Sequence, residues 1–392
     1  MARIGNFIVA AALLCAVILG VFRVMEMVSS ANAPLKPQFS IKLPDWFTST
    51  GFKASTFPEE MRWSPDGRTL AVYGSTGKLF LLDVGQKQVS DSNIYFKGGA
   101  PDIAWSPDGS MVALGRINVG LFRVADGKEL ARRDQFRYGR CGTAPRQSVA
   151  FTADGRFLWV ACGARGERGN YRAAEKFSVP DLELADSVDV EGAEPDHHNY
   201  TDYERIVVQD GRMLLTGTLV SCLKQNAPVD FAPGVPNCQR FAVCHDLQTR
   251  QRCFPNFVIP RPSGANYPYD LKLVPGRPRL IVFSAWAQAP AGPDPAFEIR
   301  DFAGNLVRQF GMRKEFDAIG PRRFVMTGAG FVIGTAGHHS DPKLGRLMMW
   351  NIDTGELLQN TRTLAASLIE ISPDGRLVAV QIGSEISFYS IN

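Results

Sequence analysis

Histidine is scarce in this sequence, five residues in 392, and four of the five stand as two adjacent pairs, His197-His198 and His338-His339. H-E-x-x-H, G-x-S-x-G and the Walker loop are all missing. That leaves no signature of a zinc protease, an α/β-hydrolase or a P-loop NTPase. The segment 328–334, GAGFVIG, loosely echoes a dinucleotide fingerprint, but it sits in an apolar strand-like run with no helix to follow. No two cysteines form a C-x-x-C pair, which excludes a zinc ribbon or a thioredoxin-like redox site. The net charge of +4 is mild and no lysine-rich tail is present, so nucleic acid is not an expected partner.

Only one hydrophobic run is long. Residues 4–22 are almost wholly apolar and are bounded by Arg3 and Arg23. Nineteen such residues approach the roughly 20 that span a membrane as a helix. Two readings follow: an uncleaved anchor, or a signal peptide cut after Ala31-Asn32-Ala33, a small-x-small site. Arg23 and Glu26 before that site favour the anchor. Cys15 follows Leu14, not a small residue, so a lipoprotein box does not form. Both readings place the rest of the chain outside the cytoplasm, because the amino group and Arg3 hold the N-terminus inside. Six further cysteines, Cys141, Cys162, Cys222, Cys238, Cys244 and Cys253, suit disulfides in an oxidising compartment, with 15 possible pairings.

A sentence is repeated along the remainder. MRWSPDGRTLAVYG (61–74) and DIAWSPDGSMVALG (102–115) are near copies, and 148–163 and 368–383 repeat them. Weaker versions occupy 205–217, 271–283 and 324–334. Each is an apolar run, a Pro/Asp/Gly turn and a second apolar run, the pattern of a tight β-hairpin. A third strand follows, as in KLFLLDV and LMMWNIDTGE. The turn residues Asp66, Asp108, Asp154 and Asp210 are 42, 46 and 56 positions apart, the period of a four-stranded propeller blade with insertions. From residue 60 onward the chain resembles WD40-like and related bacterial β-propeller repeat proteins, WSPDG and WNIDTGE being the most specific matches.

That resemblance implies an all-β fold, a seven-bladed β-propeller over 60–392; the apolar run puts a transmembrane helix or signal peptide (1–33) before it, with a linker (34–59) between them. It implies no reaction, since the fold serves enzymes, receptors and scaffolds alike. The chain ends on what should be the third strand of the last blade. QFSIKLP (38–44) is therefore expected to supply its outer strand, closing the ring and removing an open sheet edge.

If the strands of a blade are A to D from the axis outward, the A–B and C–D turns share one face and are short. The B–C and D–A connections share the other and are long, among them 137–146, 163–173, 192–203, 219–239, 257–268, 285–296, 311–321 and 336–345. Long loops on one rim of a rigid scaffold are where binding concentrates. Pairs Cys141–Cys162, Cys222–Cys238 and Cys244–Cys253 would tie those loops or the blade beneath them.

Four constellations fall on that face. Arg137, Arg140, Arg146, Arg165, Arg168 and Arg172 could hold an anionic partner, or form a solvated basic loop. Glu60, Asp102, Glu204 and Asp270 recur at the top of strand A and would ring the channel mouth. Such carboxylates need screening or a cation, calcium suiting them best, unless each merely caps backbone donors between blades. Blades 6 and 7 carry Arg323 and Leu368 at that position, and blade 3 carries Ser148. The two histidine pairs lie across the rim from one another, too far apart for an easy shared metal, and neighbours in a strand point to opposite sides. Tyr267, Tyr269 and Trp286 could anchor a partner or pack on their own blade.

The expectation is therefore an extracytoplasmic propeller that binds protein through its long-loop face, without catalytic residues, cofactor or metal. The alternative is a lactonase- or quinoprotein-like enzyme with a cation at the channel mouth.

Overall fold

The computed structural model describes residues 34–43, 58–74, 76–96, 102–115, 118–134, 148–161, 171–190, 200–209, 212–220, 239–246, 249, 251, 257–259, 270–283, 295–316, 320–337 and 343–391. These are almost all strand and turn, with one 3₁₀ turn at Arg313–Phe316. Among them no helix is long and apolar enough to cross a membrane, and the segment 4–22 lies outside them.

The strands form seven four-stranded antiparallel sheets, and the chain is an all-β propeller. In six sheets the strands are consecutive in sequence: β2–β5 within 58–95, β6–β9 within 102–134, β10–β13 within 149–190, β14–β17 within 200–259, β18–β21 within 270–310 and β22–β25 within 320–363, β22 itself being Gly320–Met326. The seventh runs β26 (Ala366–Ile371), β27 (Leu377–Ile382), β28 (Glu385–Ile391) and then β1 (Leu35–Lys42), so it joins the first strand to the last three. The expected closing strand is β1, Leu35–Lys42, starting three residues before the segment read from the sequence. It pairs antiparallel with β28 (Glu385–Ile391), Leu35 facing Ile391 and Lys42 facing Glu385. Phe39 stacks on Phe388 at 4.7 Å across that pairing. The first strands of neighbouring sheets pack side by side, β22 on β26, β26 on β2 (Pro58–Trp63), β2 on β6 (Asp102–Trp105) and β6 on β10 (Val149–Phe151), which sets them around the axis.

Burial falls from the inside outward, and the sequence shows why. Second strands are continuous apolar runs because both of their faces meet a neighbouring sheet: β3 (Thr69–Gly74) and β11 (Phe157–Ala161) are buried along nearly their whole length. Outer strands are mostly polar; four of the five residues in β21 (Leu306–Phe310) are exposed. Between sheets the core is aromatic-rich. Phe283, Phe297, Phe310, Phe324 and Trp350 fill one interface, while Trp63, Phe80 and Phe388 fill the one beside the seam. Each fully buried Leu or Phe side chain contributes about 1.5–3 kcal/mol.

The repeated Pro/Asp/Gly signature is a hydrogen-bonded turn. The Ser64 hydroxyl donates to Asp66 (2.6 Å), Asp66 accepts from the Arg68 amide (3.0 Å), and Ser64 Oγ accepts from the Thr69 amide (2.9 Å). Ser106/Asp108, Thr152/Asp154 and Ser372/Asp374 repeat it. Gly67 closes its turn at φ +69°, a region costly to any residue with a Cβ. A methyl placed on Gly67 would meet Pro373 at 3.6 Å, and one on Gly155 would meet Pro107 at 3.4 Å. Consecutive turns thus nest against one another around the short-turn face, across the seam as well as elsewhere.

Candidate functional site

Alternation along strand A decides which side chains reach the channel. In β2, Met61 and Trp63 are buried between sheets, while Glu60 and Arg62 point the other way and keep partial exposure. Arg62 is the centre of the mouth. Its Nη1 donates to Glu370 Oε1 at 2.8 Å, its Nη2 to Asp102 Oδ1 at 3.2 Å, and its Nε to the Ile103 carbonyl at 3.2 Å. Glu60 lies 3.6 Å from the same Nη2, and its other oxygen lies 3.8 Å from Arg323 Nη1. The second oxygen of Asp102 accepts from the Ser148 hydroxyl and from the Val149 amide at 3.1 Å.

The carboxylates at the mouth therefore receive a cation from the chain itself. The guanidinium of Arg62 is held well above its ordinary pKa, first by Glu370, against the opposing effect of burial, with Asp102 and Glu60 adding to the rise. The network joins β2, β6, β10, β22 and β26, the inner strands of five sheets. One more link extends it: Lys272 of β18 (Asp270–Leu273) donates to the Phe324 carbonyl of β22 at 2.7 Å and sits over that ring at 4.3 Å. Asp102 is thus a cap for a neighbouring sheet's backbone donor as well as an ion-pair partner.

Glu60 and Asp102 are brought together by Arg62, which the sequence reading passed over, as it did Glu370 and Lys272. The signal was available: Arg62, Lys272 and Glu370 each lie two residues beyond a position already singled out, on the same side of the strand. Leu368, by contrast, is buried at 3% and belongs to the interface between sheets. Arg323 breaks the run of carboxylates and lies against one of them. Glu204 lies in β14 (Tyr200–Gln209) and Asp270 opens β18, placed by their backbones alone. Among the described residues no three His, Cys, Asp or Glu side chains form a group able to hold a metal. Arg62 lies between Glu60, Asp102 and Glu370, within 3.6 Å of an oxygen of each.

Arg137, Arg140, Arg146, Arg165 and Arg168 lie outside the described residues, as do Tyr267, Tyr269, Trp286 and the two histidine pairs. Arg172 is in β12 (Tyr171–Ser178), facing Asp189 in the ladder. Cys244 is buried in β16 (Gln239–Asp246) and disulfide-bonded; Cys141, Cys162, Cys222, Cys238 and Cys253 lie outside the described residues.

A separate groove of about 590 Å³ opens on the short-turn face between the second and third sheets. Pro107, Met111, Leu130, Val179 and Pro180 give it an apolar floor, with Arg123 and Arg156 at its edge. Both arginines are engaged, Arg123 with Asp126 at 3.0 Å and Arg156 with Asp154 at 2.7 Å.

No protein-family model matches the chain, and no curated protein matches it. Solved structures do. The β-propeller domain of Cps50 (Swd1) from Myceliophteria thermophila aligns with a TM-score of 0.60 at 14% identity, covering 92% of this chain and 100% of that one. The hydrazine synthase of Kuenenia stuttgartiensis aligns with a TM-score of 0.60 at 13% identity, covering 88% and 99%. At such identities the likeness speaks for fold alone, and together with the repeat and the sheet order it shows a WD40-like β-propeller fold.

Proposed function

We propose that the protein is a membrane-tethered, extracytoplasmic seven-bladed propeller that binds and assembles protein partners through its long-loop face. The observation that carries the choice of scaffold over enzyme is the engagement of Arg62 with Glu60, Asp102 and Glu370. Carboxylates tied to arginines and to a neighbouring sheet's amide hold the ring together, and are poorly placed to act as bases or metal ligands. WD40-like propellers in general mediate protein interactions, which agrees with this use of the fold.

Tethering is supported by the apolar run 4–22 and its flanking charges, and the oxidising compartment by six cysteines beyond it. The choice of face rests on the strand order, which gathers the long connections on one side, and on the arginines between 137 and 172. Arginine forks suit an acidic protein surface. The test is crosslinking of the full-length protein in its own membranes, parent against R140E/R168E. Selective loss of a partner from the charge-reversed protein is the expected result. An unchanged set of crosslinked proteins would count against the arginine loops, and a protein with all its thiols free would count against the compartment.

A further inference from the structure

We infer that the propeller stands on the lipid surface by its short-turn face and turns its long-loop face away from the membrane. This rests on the reading of residues 4–22 as a retained anchor, and it adds a direction that the reading lacks.

The direction comes from β1. Third strands run from the long-loop face to the short-turn face, and β28 is the third strand of the seam sheet. β1 is antiparallel to it, so Leu35, opposite Ile391, lies at the short-turn face, and Lys42, opposite Glu385, lies at the other. At the far end Leu43 donates its amide to the Ser384 carbonyl, in the turn that joins β27 (Leu377–Ile382) to β28, at 2.8 Å. The chain from the anchor therefore reaches the ring on the short-turn side, at its outer edge.

That point is also fixed. Leu35 is 1% exposed. Its amide donates to Gln359 Oε1 at 2.7 Å, and its carbonyl accepts from Gln359 Nε2 at 3.1 Å. Gln359 belongs to β25 (Leu357–Thr363) of the neighbouring sheet, so the first strand is clamped to two sheets where it begins. Between Phe22 and Leu35 stand twelve residues, 23–34, with a reach of at most about 40 Å. Strands of six to eight residues make the ring about 20–25 Å tall. To lie with its long loops on the lipid, the ring would need the linker to climb its full height beside β1, spending more than half that reach. In the upright orientation the linker needs no such detour. A partner of the long-loop face is then a soluble protein, or a domain projecting at least about 20 Å from the bilayer, and not a membrane-embedded segment.

The experiment uses full-length protein in phosphatidylcholine vesicles carrying a headgroup-attached nitroxide quencher. A fluorescent amino acid is encoded singly at Gln86 or Lys128, exposed in third-to-fourth strand turns of the short-turn face, or at Tyr95 or Leu364, exposed at the opposite ends of outer strands. At least threefold stronger quenching at Gln86 and Lys128 than at Tyr95 and Leu364 is expected. Inserting about twenty Gly/Ser residues into the linker should erase the contrast. Equal or reversed quenching in protein that floats with the vesicles overturns the orientation while the anchor stands. Protein that fails to float, or whose mature N-terminus follows Ala33, overturns the anchor and the orientation with it.

Discussion

Replacing Arg62 by methionine keeps an unbranched stem in place and removes the charge that three carboxylates share. The side chains of Arg62, Glu60, Asp102 and Glu370 are 27%, 19%, 21% and 18% exposed, so they are neither dry nor freely solvated. Removing one partner of a fully buried pair costs about 3–5 kcal/mol; with some water at each group, about 2–4 kcal/mol is expected here. In urea this corresponds to a midpoint lower by about 1 M if the slope is about 3 kcal/mol/M and stays unchanged. Part of the loss is repulsion left among Glu60, Asp102 and Glu370, so a second change should relieve it. E370Q alone removes the closest partner, at 2.8 Å, and should destabilise; in the R62M background it should cost little or restore stability. The coupling energy from the four proteins should be about 1–3 kcal/mol. A loss below about 0.5 kcal/mol for R62M, or coupling within about 0.3 kcal/mol of zero, would refute the claim that this cation holds the mouth together.

Asp66, Asp108, Asp154 and Asp374 are all held below the usual carboxylate range, in each case chiefly by the adjacent Ser or Thr hydroxyl. A depressed folded pKa contributes stability above the unfolded value of about 4 and loses it as pH falls through the folded one. Urea midpoints should therefore drop on acidification below about pH 4, and a D66N/D108N/D154N/D374N protein should show a flatter drop. G345A should destabilise by about 1–3 kcal/mol or more, because a methyl there would run into the Leu364 carbonyl; a thermal melt unchanged from the parent would contradict the packing. Q359L removes both bonds to Leu35 and should cost about 1–2 kcal/mol, with faster deuterium exchange at Leu35 and little change at Val112.

The repeat was legible because its information is local. Ser64, Asp66, Gly67 and Thr69 make the whole turn within six residues, and the same grammar returns at 106, 152 and 372. The outer strand of the seam was legible too, since a third strand without a fourth leaves an open edge and 38–44 was spare. Its start was not, because Leu35 is fixed by Gln359, 324 residues away. The mouth was half legible. A recurring place in the repeat picks out Glu60 and Asp102, but the network that holds them crosses sheets, Glu370 lying 308 residues from Arg62. Residue type at a shared position hid the rest. The ladders of the first strands slip between Pro58 and Glu60, Pro321 and Arg323, and Ala366 and Leu368. Those slips lie beyond the singled-out position, so Leu368 faces Gln381 as Glu60 faces Tyr73; what differs is the side chain, which at 368 is apolar and packs between sheets.

The shared seventh sheet also sets an order of events. Six sheets are contiguous in sequence and can each complete as their residues leave the ribosome. The seventh cannot: β1 is made before all the others, 356 positions separate Leu35 from its partner Ile391, and pairing must wait until β28 has been made. Until Phe388 meets Phe39, the earliest strand is an unmatched edge and the inner strand at the seam lacks half its neighbours. Such long-range closure is slow compared with hairpin formation. A nascent chain halted before residue 385 should remain an open arc, exposing Trp63 and Phe80 to proteases and chaperones, so the ring closes only once β28 has been made.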